Sequence, residues 1–204
     1  MEITGISPQK KDKLRCNIEV DGRFYCGMKL ETVITNRLKV GRIVTEEELS
    51  QLQLESEKTT ALDKALVHIT ATMKTEKEIR DFLKRKGYLP DVSDYVIGRM
   101  KEFSLIDDVA YAKAYCESVG KKKGRRLIAV ELKRKGIDDE AIAEAVETLT
   151  DEEESAVRIL EKYMRGKPCD KKTLTKAFSY LISKGYEYDT ARSALTAFGA
   201  EDED

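Results

Sequence analysis

Apolar positions in the later two thirds of the chain recur with a fixed period. A Lys-Gly pair followed by Tyr or Ile occurs three times, at residues 86, 135 and 184, so successive copies are 49 positions apart. Leucines at positions 83, 132 and 181 keep step with these pairs. A constant period with matching apolar positions is typical of repeats that bury their open faces against their neighbours. The pattern predicts three tandem repeats over residues 59–198.

Helix start and stop signals divide each repeat into three helices. Thr75-Glu76-Lys77-Glu78 has the form of a capping box, which predicts a helix from there to about Lys86. Gly87 would end this helix in the left-handed conformation. The same ending is expected at two further glycines, Gly136 and Gly185. Acidic residues are expected to open the first helices of repeats two and three, at Asp107-Asp108 and at Asp151–Glu154.

A different pattern precedes the repeats. Apolar residues alternate with polar ones from Leu14 to Val20, and Asp21-Gly22 is a strong hairpin signal. Phe24–Cys26 would form the returning strand. A helix is predicted from Leu30 to Lys39, ended by Gly41, and a second capping box at Thr45–Glu48.

These elements predict a mainly α protein. Three tandem three-helix repeats would form an elongated, curved helical array, with a small N-terminal β-hairpin and helices. The polar stretch Glu55–Thr60 sets the boundary between head and repeats. The predicted domains are a head at residues 1–56, repeat one at 57–107, repeat two at 108–151, and repeat three with an acidic tail at 152–204.

Composition favours a soluble protein in the cytoplasm. Charged residues make up 37% of the chain, Trp is absent, and there are three Pro. The longest apolar runs, such as residues 127–130, are too short to cross a bilayer, so no membrane partner is expected. The four cysteines lack the spacing of zinc sites, and we interpret them as reduced apolar residues. A disulfide between Cys16 and Cys26 remains open, since the two flank the predicted hairpin.

Motifs for catalysis are missing from the sequence. His68 is the sole histidine, and neither a phosphate-cradling glycine loop nor a nucleophile elbow is present. Asp107-Asp108 is explained better by a helix start than by metal binding. We therefore expect no enzymatic activity, no catalytic residue, no metal and no cofactor. Seven tyrosines are interpreted as packed in or beside the core rather than as stacking partners for bases: Tyr88, Tyr95, Tyr111, Tyr115, Tyr163, Tyr180 and Tyr186.

The formal net charge of −1 hides a strong segregation of charge. Residues 121–135 contain eight basic residues and one acid, whereas residues 138–154 contain nine acids and neither Lys nor Arg. The segment Lys121–Arg126 is predicted to join the first two helices of repeat two. Its cations could neutralise phosphates and release counterions, although a solvated basic loop is the alternative. The acidic run is expected to face solvent or a basic protein surface, because carboxylates repel phosphates.

Two basic triplets, at residues 84–86 and 133–135, extend this hypothesis. Equivalent positions in successive repeats can line up along one surface, although such triplets also complement the negative end of a helix. The candidate residues for contact with DNA or a partner are Lys121, Lys122, Lys123, Arg125, Arg126, Lys133, Arg134, Lys84 and Arg85.

Several of these segments together resemble the RecX family. Residues 106–115, Gly124 with Arg126-Leu127, and residues 132–137 are similar to its central repeat. Residues 74–78 are similar to the first repeat, in which the family has Arg where this chain has Lys74. The hairpin-bearing N-terminus resembles an extension found in many Gram-positive members. Repeat three departs most from the family, because Lys167-Pro168-Cys169 replaces a more basic turn. This difference weakens the case for a DNA contact by repeat three.

The resemblance implies a modulator of the bacterial recombinase RecA in recombination and DNA repair. Such a protein would bind in the groove of the RecA filament and alter its assembly, ATPase and strand exchange, with inhibition as the expected effect. We also expect contact with single- and double-stranded DNA, and a monomer. Two other classes stay open. A stand-alone DNA-binding regulator with helix-turn-helix-like units would discriminate its operator by base contacts. A helical protein-binding scaffold would ignore DNA.

Overall fold

The structure is a computed structural model that describes residues 1–201; Asp202–Asp204 of the predicted acidic tail lie outside the described residues. The chain divides into two compact units, one of Met1–Met73 with Ile79–Leu105, the other of Lys74–Glu78 with the described residues from Ile106 onward. Three strands are followed by helices. They are β1 (Ile3–Pro8), β2 (Arg15–Val20), β3 (Arg23–Lys29), α1 (Leu30–Thr35), α2 (Glu46–Ile69), α3 (Glu76–Arg85), α4 (Pro90–Glu102), α5 (Asp108–Val119), α6 (Arg125–Arg134), α7 (Asp139–Glu147), α8 (Glu152–Met164), α9 (Lys171–Ser183) and α10 (Tyr188–Glu201).

The first unit contains an antiparallel sheet in the order β1-β2-β3. The predicted hairpin is confirmed, and Asp21 and Gly22 both have positive φ angles, as its tight turn requires. Ile18 and Met28 on the inner face are buried with Leu49 of α2. The strand β1 was missed from the sequence, because an internal glycine and a terminal proline obscure its alternation.

Two details of the head differ from the sequence predictions. The helix predicted to reach Lys39 ends at Thr35, so that part of the prediction was wrong. The Asn36 side chain donates to the Thr32 carbonyl, and Arg37 then takes a positive φ of 51°, which a helix cannot continue. At the second predicted capping box, Thr45 accepts from the Glu48 amide at 3.1 Å, but the Glu48 carboxylate pairs with Arg42 instead of returning to Thr45.

The helix α2 runs without interruption through the polar stretch Glu55–Thr60. Ser56 within it is buried, and its hydroxyl accepts from the Lys29 amide at 2.6 Å. The polar composition there belongs to a solvated helix rather than to a break in secondary structure. The division into residues 1–56, 57–107, 108–151 and 152–204 stays a prediction.

The repeat pattern corresponds to three-helix groups. In the second unit, α5–α7 enclose a core around Ile128 and Leu132, and α8–α10 enclose one around Leu181 and Tyr186. The first capping box is confirmed, because the Thr75 amide donates to Glu78 Oε2 at 3.1 Å and the Glu78 amide donates to Thr75 Oγ1 at 3.2 Å. The three predicted glycine endings are also confirmed, with φ angles of 84°, 87° and 90° at residues 87, 136 and 185.

Inside the second unit, two contacts join a residue at a helix start to a carbonyl at another helix end. The Gly124 amide at the start of α6 donates to the Lys184 carbonyl after α9 at 2.9 Å. Likewise the Thr75 hydroxyl before α3 donates to the Lys135 carbonyl after α6 at 2.7 Å. The unpaired Gly124 amide at one helix start is thus satisfied by a carbonyl at another helix end, and the Thr75 hydroxyl makes the equivalent contact. We call these two contacts the end-to-end junctions.

The tyrosines are packed largely as predicted. Tyr186 is fully buried and its hydroxyl lies 2.8 Å from the Ser155 hydroxyl. Tyr163 and Tyr180 stack with ring centroids 4.5 Å apart. Tyr95 is the exception among the seven, with 38% of its surface exposed. Core packing therefore explains most of this aromatic content.

The cysteines are all reduced, and the Cys16–Cys26 disulfide does not form. The strand register places Cys16 opposite Met28 and Cys26 opposite Ile18, so the two thiols do not face each other. Burial raises the pKa of the Cys26 thiol to about 11. Cys169 is the exposed cysteine.

This burial predicts selective thiol chemistry. In the native protein we expect one of the four thiols to react rapidly with a disulfide reagent, because buried thiols stay protonated and shielded. All four should react after denaturation. A Cys169→Ser variant should lose the fast phase, and a second fast thiol in that variant would contradict the burial of the other three.

Candidate nucleic-acid interface

The segment Lys121–Arg126 joins α5 to α6, as predicted. The helix α5 ends at Val119, and Gly124 is the N-cap of α6 with an extended backbone. Gly124 has no room for a side chain, since a Cβ there would lie 2.3 Å from the Gly185 carbonyl oxygen. The basic segment is therefore anchored at Gly124 against the end of α9.

Lys123 is neutralised within its own repeat. Its Nζ donates to both carboxylate oxygens of Glu131, at 2.6 and 2.7 Å, and the Tyr115 hydroxyl donates to the same carboxylate at 2.7 Å. Burial alone would raise the pKa of Glu131, but the hydrogen bonds from Lys123 and Tyr115 outweigh it and lower this pKa. The hydrogen bond to Glu131 in turn raises the pKa of Lys123. This cation already has a carboxylate partner.

Arg125 also binds inside the chain. Its guanidinium donates to the Leu149 carbonyl, and its Nε lies 3.2 Å from Glu152 Oε2, close enough for an ion pair but not aligned for a hydrogen bond. The Arg125 amide donates to the other Glu152 oxygen at 2.9 Å. Because the Glu152 side chain is only 14% exposed, Arg125 fixes the start of α6 to the start of α8.

Three cations of the segment point to solvent. Lys121 and Lys122 are exposed and form no ion pair with any residue in the described part of the chain. The Arg126 side chain is 63% exposed, and its Nε lies 3.8 Å from a carboxylate oxygen of the similarly exposed Glu187. We call Lys121, Lys122 and Arg126 the free cations of the α5–α6 joint, because an ion pair as long and exposed as that of Arg126 leaves its guanidinium open to another anion.

The other candidate residues lie at helix ends. Lys133 and Arg134 are exposed in the last turn of α6, and Lys133 pairs with Asp139 at 2.8 Å. Lys84 and Arg85 are exposed in the last turn of α3 and belong to the first unit. Both pairs complement the negative end of their helix. A surface shared by the two pairs stays a prediction.

Part of the acidic run is used to hold the fold together. Asp138 caps α7 by accepting from the Ala141 amide at 2.8 Å, and Glu144 pairs with Lys113 at 2.6 Å. Glu152 is the partner of Arg125. Sequence reasoning did not find these roles. The remaining acids of the run stay predicted to face solvent or a basic partner.

Sequence reasoning did not find the contacts of Lys135, and it missed one set of cations. Lys135 donates to Glu78 at 2.8 Å and lies 5.2 Å from the centre of the Tyr111 ring. Burial opposes its charge, but the hydrogen bonds to Glu78 and Tyr111 raise the pKa of Lys135. The missed set, Lys171, Lys172 and Lys176, is exposed on α9. The period of 49 would have found it, because Lys171 and Lys172 stand 49 positions after Lys122 and Lys123.

Two kinds of feature are absent from the part of the chain that the structure describes. No three His, Cys, Asp or Glu side chains lie together in an arrangement that could hold a metal ion. No helix in the same range has the length and apolar character needed to cross a membrane.

Comparison with known proteins gives a consistent family match. Four family models match successive parts of the chain: the regulatory protein RecX N-terminal domain (residues 1–45) and the first, second and third RecX three-helix domains (residues 61–100, 107–146 and 151–195). A regulatory protein RecX of Clostridium perfringens is 32% identical over 95% of this chain and 94% of its own. One of Bacillus licheniformis is 31% identical over 99% of this chain and 79% of its own.

Solved structures agree with these matches. A crystal structure of regulatory protein RecX superposes with a TM-score of 0.71 at 25% identity, covering 94% of this chain and 97% of that one. The crystal structure of RecX from Lactobacillus salivarius gives a TM-score of 0.65 at 25% identity, covering 71% of this chain and 97% of that one.

Proposed function

Because this chain belongs to the RecX family of regulatory proteins, we propose that it binds the filament of the recombinase RecA beside its DNA and inhibits RecA activity. Family membership establishes the regulatory role. The RecA filament as target, inhibition as the effect, and a function in recombination and DNA repair are the proposal.

The observation that carries the DNA contact is the set of free cations at the α5–α6 joint. Lys121 and Lys122 are exposed without a carboxylate partner in the described residues, and Arg126 is largely exposed. Exposed lysines and arginines neutralise phosphates with little preference for sequence. A protein that binds filaments assembled on DNA of any sequence needs contacts that do not depend on the sequence.

The proposal includes three further statements. The protein acts by binding and not by catalysis, because the sequence contains no pairing of nucleophile and base. It acts as a monomer, since its three-helix groups bury their cores within one chain. It works in the cytoplasm, where its target and DNA are found.

Titration against DNA, with and without RecA filaments, tests the proposal. We expect weak, salt-sensitive binding to free single- and double-stranded DNA, tighter binding to the filament, and loss of strand exchange as the filament is saturated. Strong preference for one duplex sequence would indicate an operator-binding regulator. Filament binding that does not change when the free cations are removed would indicate a scaffold that ignores DNA.

The Lys123–Glu131 pair offers a gain-of-function test. In a Glu131→Gln variant Lys123 loses its counter-charge, so we expect tighter binding to single-stranded DNA. The salt slope, which is the slope of the logarithm of the affinity against the logarithm of the salt concentration, should become steeper by about 0.7. Fluorescence anisotropy over a series of salt concentrations measures both.

Glu147→Gln is the matched control for this variant. It removes the same charge from an exposed acid without releasing a lysine. If both variants bind alike, Lys123 lies out of reach of the DNA.

A further inference from the structure

The helix α9 has a strongly basic exposed face. It contains no acidic residue, and Lys171, Lys172 and Lys176 are all exposed on it. We propose that these three lysines form a second phosphate-binding surface, which binds the backbone of single-stranded nucleic acid. Arg165, exposed in the preceding link, flanks this α9 basic face.

The charges of this face are available for a ligand. None of its three lysines forms an ion pair with the side chains that the structure describes, residues 1–199. Repeat two is different, because Glu131 neutralises Lys123 there. The position 49 residues after Glu131 is Tyr180, which stacks on Tyr163 and offers no carboxylate. Repeat three therefore keeps the lysine and lacks the acid that neutralises its counterpart.

Helix stability does not account for these lysines. Lys171 and Lys172 stand in the first turn of α9, where the positive end of the helix disfavours cations. Lys172 and Lys176 are four residues apart, a spacing at which like charges repel on a helix. Asp170 alone counters them, accepting from the Thr173 amide at 2.7 Å. An arrangement that opposes folding points to a ligand.

The rest of the face suits phosphates better than a protein partner. Thr175 and Ser179 are exposed between and beyond the lysines, whereas Leu174, Phe178 and Ile182 are at least half-buried. The Thr175 and Ser179 hydroxyls donate to the Lys171 and Thr175 carbonyls at 2.8 and 3.1 Å, so the contacts to phosphate oxygens would come from the lysines. A protein interface would instead present an exposed apolar or aromatic anchor. Nucleic acid is therefore the occupant that this chemistry favours over the acidic surface of a protein.

This assignment changes the expectation for repeat three. The link Lys167-Pro168-Cys169 has fewer cations than the family's turn, but the first two turns of α9 carry three. Lys167 itself lies 3.2 Å from the centre of the Tyr163 ring. The inference rests on the proposed function only in taking nucleic acid as the ligand, and it requires no RecA.

The test is a triple variant of the full chain, Lys171→Ala, Lys172→Ala and Lys176→Ala, titrated with labelled oligothymidylate at several salt concentrations. Because the variant can no longer neutralise three phosphates, we expect the salt slope to fall by about 2 log units and the affinity at 0.1 M salt to fall by about 100-fold. The melting temperature should stay the same or rise, because alanine favours helix and the repulsion is gone.

A charge-matched control removes three other exposed lysines, Lys10→Ala, Lys11→Ala and Lys13→Ala, from the link between β1 and β2. It should bind oligothymidylate nearly as the parent does. Equal losses in the two triple variants would overturn the proposal, since only overall charge would matter. Unchanged oligothymidylate binding by the α9 variant together with weaker binding to RecA filaments would overturn it in favour of an acidic protein surface. If α9-dependent binding holds while RecA activity is unaffected by the protein, the proposed function fails and this inference stands.

Discussion

Replacing Gly185 by alanine is expected to lower the free energy of unfolding of the second unit by about 3 kcal/mol. Gly185 has a φ of 90°, which costs any residue with a Cβ about 1–2 kcal/mol. Its new Cβ would also lie 2.3 Å from the Cβ and 2.4 Å from the amide nitrogen of Leu127. The α6 backbone cannot move away without breaking the hydrogen bond of 3.2 Å that the Arg126 amide donates to the Gly185 carbonyl. Overpacking of this kind lowers the free energy of unfolding by about a further 1–3 kcal/mol.

Gly87→Ala is the control, because Gly87 has a similar φ of 84° and a Cβ there would meet nothing within 4 Å. This variant should lose only the conformational cost of about 1–2 kcal/mol. Urea denaturation gives the difference, and hydrogen exchange of the α6 amides locates it. Equal losses in the two variants would show that the end-to-end junction contributes nothing to stability.

Neutralising the free cations of the α5–α6 joint is expected to weaken DNA binding by about 100-fold at 0.1 M salt. The variant is Lys121→Ala, Lys122→Ala and Arg126→Ala, and removal of these three cations from the phosphates should flatten the salt slope on single strands by about 2 log units. The fold should persist, since exposed substitutions change stability by about 0.5 kcal/mol or less. The inhibition of RecA strand exchange that we propose should weaken in parallel.

Only three of the five cations at the joint are replaced in this variant, because the other two hold carboxylates of the chain itself. Lys123→Ala would leave the Glu131 carboxylate unpaired, and Arg125→Ala would leave Glu152 without its guanidinium partner, so either change would mix folding with binding. The Lys10, Lys11 and Lys13 triple variant serves again as the charge-matched control. Parental affinity, salt slope and RecA inhibition in the joint variant would identify the segment as a solvated loop.

Local signals explain why so much of the helical fold follows from the sequence. Two such signals are the capping box of Thr75 and Glu78 and the glycine ending at residue 136. Each depends on a few neighbouring residues, and both are present in the structure. The strand β1 depends on distant chain segments. The Ile3 amide, for example, donates to the Arg42 carbonyl at 3.0 Å. No window of sequence contains both partners.

The candidate site was predicted less completely than the fold, for the same reason. Counting charges located the α5–α6 joint, but availability of a cation depends on what it touches. The carboxylate that holds Arg125 comes from Glu152, 27 residues away. Lys171, Lys172 and Lys176 were not predicted, because the less basic turn before them argued against a DNA contact in repeat three. Comparing equivalent positions in the repeats, rather than counting charge in windows, would have selected them.

The end-to-end junctions also set the order in which the chain can fold as it leaves the ribosome. The Thr75 hydroxyl finds its partner carbonyl at Lys135, 60 residues later in the chain. At synthesis rates of about 5–20 residues per second, Thr75 waits about 3–12 s for that partner. Gly124 waits in the same way for Lys184. Repeats one and two therefore reach their final hydrogen bonding only after the following repeat has been synthesised. A chain that stalls after repeat one or two would leave that repeat with an open helix start.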